Sequence, residues 1–97
     1  MLHTVNKSPF QNGSLESCLR FSNEGDTILL LEDGVFAAKP NTSKSDMVSE
    51  ALKSRKIYAL SADLKARGVA SVIDGVEITD YAGFVDLVAE NATHAWL

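Results

Sequence analysis

One stretch limits what this chain can fold into: Gly25-Asp26-Thr27-Ile28-Leu29-Leu30-Leu31-Glu32-Asp33-Gly34. Ile28 to Leu31 is an unbroken apolar run with turn formers at both ends. Apolar residues without polar alternation suit a strand covered on both faces, the pattern of a central parallel strand. A helix of the same residues would be short and would have no selective face to bury. In open α/β sheets ligands gather at the carboxyl ends of strands. Here that end carries Glu32, Asp33 and Gly34.

The rest of the chain supplies the neighbours such a strand needs. Leu2–Val5 is a short strand candidate, stopped by Asn6-Lys7-Ser8-Pro9. Asn12-Gly13-Ser14 turns into a helix with Ser14 as the expected cap, and Leu15, Cys18, Leu19 and Ser22 form an inward stripe widened by Phe21. Val35–Ala38 reads as a helical turn or short helix, and Lys39–Lys44 as an exposed loop. Ser45 or Asp46 is expected to cap a helix with Met47, Val48, Ala51 and Leu52 inward. Lys53, Arg55 and Lys56 stand near its carboxyl end, where the helix dipole favours cations. Ile57–Leu60 is a third strand. Ser61-Ala62-Asp63 is expected to cap a helix ending at Gly68. Val72 and Ile73 fit either a strand or a buried loop, and Val76–Thr79 is a fourth strand. Asp80 caps a last helix, expected to turn Tyr81, Phe84, Val85, Leu87 and Val88 to the core and to end at Asn91. Ala95–Leu97 is a fifth, edge strand or an interface tail. Strands alternating with helices imply right-handed crossovers in a mostly parallel sheet of four to five strands. The expected fold is a small three-layer α/β sandwich, flavodoxin-like or Rossmann-like, with residues 1–97 as a single domain.

Composition narrows the function. The chain is short at 97 residues, so a sheet needing cover on both faces would gain from an oligomeric interface. A net charge of −4, with the two signs reading as scattered, argues against a phosphate-backbone binder, and no direct nucleic-acid contact is expected. The single cysteine, Cys18, excludes an intrachain disulfide, and no Cys/His cluster offers a metal site. The first residues lack a basic region followed by an apolar one, and no apolar run approaches the roughly 20 residues of a membrane span, so a cytoplasmic protein with no membrane association is expected. Neither a GxGxxG nor a GxxxxGK[ST] pattern is present, and no cofactor is expected.

Few candidates for chemistry remain. Cys18 is the one intrinsic nucleophile, near the start of a helix whose dipole lowers a thiol pKa, yet on the same stripe as Leu15 and Leu19. His3 inside a strand reads as a packed histidine, and a catalytic role would need a carboxylate such as Asp33. His94 is expected to be exposed. Asn6, Lys7, Ser8, Glu32 and Asp33 form a third candidate, a strand-end cluster that could hold a small anion as a binding module.

The segments Met1–Phe10, Leu15-Glu16-Ser17-Cys18-Leu19, Leu31–Ala38, Tyr58-Ala59-Leu60 with Asp63–Gly68, Asp80–Leu87 and Ala95-Trp96-Leu97 together resemble the TusB/DsrH family, in order and over almost the whole chain. The resemblance implies a DsrE/DsrF/DsrH-like fold and a non-principal subunit of a persulfide relay, arranged as a dimer of heterotrimers. Its partners would be DsrE- and DsrF-like chains, or TusD- and TusC-like ones, with a TusA-like sulfur donor and a DsrC- or TusE-like acceptor. The principal sulfur-carrying cysteine would lie on a partner subunit, leaving any activity of this chain as a component of a sulfurtransferase complex. Cys18 within LESCL resembles the DsrH branch, which serves oxidation of stored sulfur, and would act as an accessory persulfide carrier or a partner contact. The alternative is the TusB branch, which serves 2-thiolation of the tRNA wobble uridine.

Overall fold

The computed structural model describes all residues from Met1 to Leu97. Five strands, β1 (Leu2–Val5), β2 (Thr27–Leu30), β3 (Lys56–Leu60), β4 (Glu77–Thr79) and β5 (Thr93–Trp96), pair in the order β4-β3-β2-β1-β5. Every pairing is parallel. The apolar run that opened the sequence is the middle strand, with Ile28, Leu29 and Leu30 all buried. The fifth strand candidate forms and is an edge, beginning two residues earlier than the sequence indicated.

Four helices connect the strands: α1 (Ser14–Phe21), α2 (Ser45–Ala51), α3 (Ser61–Ala66) and α4 (Tyr81–Glu90). A 3-10 helix, Glu32–Ala38, follows β2. From β1 to β4 the chain advances one strand at a time in one direction, so right-handed crossovers put α1, the 3-10 helix, α2 and α3 on one face. The step from β4 to β5 runs back across the whole sheet, so α4 lies on the other face, alone. Register places His3 beside Ile28 and Ile57, and Val5 beside Leu30 and Ala59, on the first face. Most of these residues join Leu15, Cys18, Val35, Val48, Ala51 and Leu64 in one core.

The second face is covered less well. Five strands span roughly 19 Å and a helix is about 10 Å across, so one helix covers about half of that face. Thr93 and Ala95 on β5 and Glu77 on β4 are exposed. No residue of α4 is buried. Phe84 and Leu87 are half-buried, while Tyr81, Val85 and Val88 face solvent, which corrects the expectation that all five point to the core.

Capping also departs from expectation in four places. Ser14 is the first residue of α1, not its cap: Asn12 Oδ1 accepts from the Ser14 amide at 2.6 Å. α2 begins at Ser45 without a side-chain cap at its preceding residue, and Ser45 Oγ instead closes a turn by donating to the Thr42 carbonyl at 2.7 Å. Asp63 does not cap α3, because its carboxylate accepts from the Glu32 amide at 2.7 Å. Arg55 does not serve the end of α2. Its guanidinium donates to the carbonyls of Leu19 and Ser22 and to Ser22 Oγ, closing the carboxyl end of α1. Asp80 does cap α4, accepting from the Gly83 amide at 2.9 Å, and Gly68 takes φ 68° after α3. Val72 and Ile73 lie in a loop, where the Ile73 amide donates to the Ala38 carbonyl.

Candidate functional site

Cys18 lies on the inner side of α1, fully buried. Burial pushes its thiol up to about 12, opposed by a smaller lowering from Arg55 and aided by a smaller raising from Asp26. At neutral pH it is therefore a protonated thiol. Thiolate, not thiol, attacks a persulfide, and attack also requires access. The sulfur as folded has neither.

His3 is the nearest thing to a base in this part of the molecule, and it is committed elsewhere. Its ring is fully buried on β1. Nε2 is 2.9 Å from Asp26 Oδ2, and Nδ1 accepts from the Trp96 indole N–H at 3.1 Å. An indole N–H only donates, so Nδ1 carries no proton and Nε2–H donates to the carboxylate. Both ring nitrogens are occupied and neither is free to deprotonate a thiol. The carboxylate partner is Asp26, before β2, rather than Asp33 at the far end of that strand.

Asp26 gathers several donors. Its Oδ2 accepts from the Asn23 amide and from His3, and its Oδ1 from the Met1 amino group. The Asn23 N–H first, then the His3 bond, hold its carboxyl down at about 2 against a smaller desolvation penalty. Around this pair stands an aromatic group. Phe21 stacks on His94 with centroids 5.9 Å apart, and His94 meets Trp96 at 4.7 Å. Phe21 is exposed rather than part of the inward stripe of α1, and His94 is exposed as expected. The arrangement ties the edge strand β5 to β1 and α1. Sequence reading missed it because its members stand at opposite ends of the chain, and Asp26 reads there only as a turn former beside Gly25.

The strand-end cluster divides into two separate groups. Glu32 sits at φ 48° and its amide is held by Asp63, while Asp33 pairs with Arg67 at 2.8 Å. Glu32 and Asp33 thus shape the turn into the 3-10 helix. Gly34 follows where a Cβ would overlap the Val5 carbonyl oxygen, so only glycine lets that helix press against β1. On the β1 side Lys7 is exposed, the buried Ser8 hydroxyl accepts from the Phe10 amide, and Asn6 Oδ1 is buried without a partner. No hydrogen bond or ion pair joins Asn6, Lys7 or Ser8 to Glu32 or Asp33. No group of three or more His, Cys, Asp or Glu side chains is placed to hold a metal ion.

Comparison with known proteins places this geometry in a family. A family model described as DsrH like protein matches residues 7–94. The chain belongs to the TusB/DsrH family. The protein TusB of Pectobacterium parmentieri is 38% identical over 99 residues, covering 99% of this chain and all of that protein. TusB of Escherichia coli K12 is 38% identical over 98 residues with the same coverage. Among solved structures, the ychN protein of Escherichia coli superposes with a TM-score of 0.77 at 20% identity, over 95% of this chain and 94% of that one. A protein of unknown function from Methanobacterium thermoautotrophicum gives 0.74 at 18% identity, over 97% and 95%. At such identities the two structures share the fold alone. The α/β architecture expected of the family is the one observed, and no helix is long and apolar enough to cross a membrane.

Proposed function

We propose that this chain is the TusB-like, non-carrier subunit of a cytoplasmic sulfur relay that supplies sulfur for 2-thiolation of the tRNA wobble uridine. One observation carries the reading: the relatives that match it from end to end at 38% identity are TusB proteins. This reverses the order in which sequence placed the two branches. Cys18 favoured oxidation of stored sulfur, and that remains the second reading, resting on the cysteine alone.

The geometry agrees with a subunit that docks rather than reacts. The one thiol is enclosed and protonated, and the second sheet face is half covered. In this reading Cys18 is a packing residue, and persulfide passes between cysteines of TusD-like, TusA-like and TusE-like proteins. The chain contributes the shape of a hetero-oligomer with TusC- and TusD-like subunits. Co-expression of tagged chain with those two subunits, followed by size exclusion and a tRNA thiolation assay, tests it. The expected outcome is one complex containing all three, with wobble-uridine thiolation lost when this chain is omitted. A complex formed only with DsrE- and DsrF-like chains, with thiolation unaffected by omission, overturns it in favour of the second reading.

A further inference from the structure

The charges of this chain are not scattered in the way a linear reading suggests. All nine lysines and arginines lie before residue 68, against eight carboxylates. Residues 68–97 hold Asp74, Glu77, Asp80, Asp86 and Glu90, with neither lysine nor arginine. The acidic third of the chain is the part that builds β4, α4 and β5.

α4 has two apolar sides. Its inward side carries Phe84 and Leu87, half-buried against the sheet. Tyr81, Val85 and Val88 recur at i, i+4 and i+7 on the outward side, with exposures of 65, 60 and 42%, and Ala82 and Ala89 lie exposed beside them. A helix apolar on both sides is one that expects cover on both. Asp86 and Glu90 run along the opposite edge of the exposed side, across Ala82 and Ala89 from the stripe, while Asp80 caps the start of the helix and Glu77 lies on β4, all exposed. None of these four carboxylates takes part in an ion pair.

The cover is therefore constrained in chemistry. A second copy packed antiparallel through this side would set the edge carrying Asp86 and Glu90 against the same edge of its partner, unpaired carboxylates facing unpaired carboxylates. We propose that the outward side of α4 docks a different chain, one presenting an apolar groove edged with lysine or arginine. This deepens the relay reading and rests on it. The helix inserts Tyr81, Val85 and Val88 as anchors, and the rim carboxylates set orientation and encounter rate.

The test uses the full chain with the two partner subunits co-expressed. Val85→Glu removes the apolar anchor. Asp86→Lys with Glu90→Lys reverses the rim while leaving the stripe intact. All three positions are exposed, and circular dichroism and melting confirm that each variant folds. The expected result is at least about tenfold weaker association for each variant. Wild-type association should also weaken between about 50 and 500 mM salt, a dependence lost in the charge reversal. Association unchanged in both variants, with the wild-type complex formed, overturns the docking surface and leaves the relay reading standing. Absence of any wild-type complex overturns the relay reading and the surface together. Isolated wild-type chain that dimerises, and loses the dimer on Val85→Glu, overturns the choice of a different chain as occupant.

Discussion

At the scale of single residues, two titrating groups give the account its pH dependence. Asp26 is held below its ordinary value, so the stability it contributes is present above pH 3.8 and is lost as pH falls toward about 2. Acid unfolding should show that loss in the wild type and a smaller one in Asp26→Asn, which starts less stable at neutral pH. Cys18 moves the other way. Its folded thiol is raised from 9.0 to about 12, so its stability is intact below pH 9 and is lost as pH rises toward 12, where the unfolded thiol ionises and the folded one does not. Denaturant melts at about pH 8 and about pH 10.5 should differ, and the difference should shrink in Cys18→Ala. At neutral pH that substitution should cost about 1–2 kcal/mol through the cavity it leaves. Native Cys18 should react with iodoacetamide at least about a hundredfold more slowly than in urea. The sequence showed a cysteine on a helical stripe. It could not show the burial, because that depends on which strands the stripe covers.

At the scale of elements, local patterns were readable where one element settles its own ends. The run Ile28–Leu30, the Asp80 cap and Gly68 after α3 all act within a few residues and are found where the spacing placed them, while Leu31, read as part of the same strand, leaves it half-buried to start the 3-10 helix. Asp63 and Arg55 are different. Each polar side chain had a local helix end within reach, and Asp63 and Arg55 serve groups distant in sequence. Gly34 belongs to the same lesson. It reads as a turn residue, yet its requirement comes from the β1 carbonyl against which the 3-10 helix is pressed. Gly34→Ala should cost about 1–3 kcal/mol, measured by denaturant melts, since the backbone rather than a side chain stands in the way. α4 was misread for a related reason. Its apolar residues are those of a buried helix, but one side of the helix has nothing in this chain to pack against.

At the scale of the whole molecule, the strand order explains the incomplete core. Three successive crossovers load one face with helices, and the single return leaves the other with one. The chain of 97 residues leaves part of its second face open, so a partner seated there would add to stability. Mixing with TusC- and TusD-like subunits should raise the melting temperature, and the gain should be lost with Val85→Glu. The functional assignment sits at this scale as well. The one intrinsic nucleophile in the sequence is Cys18, and the folded chain encloses it. What stays accessible is an apolar helix in an acidic third of the molecule, a feature visible only once α4 is placed outside the core. The claim that this subunit shapes the relay without carrying sulfur is tested by intact-mass analysis of the assembled complex after exposure to a persulfide donor. The account predicts added sulfur on the TusD-like subunit, none on this chain, and the same rate of transfer to the acceptor in the Cys18→Ser complex. A gain of one sulfur on this chain that vanishes in Cys18→Ser, with transfer slowed while assembly is intact, would contradict it.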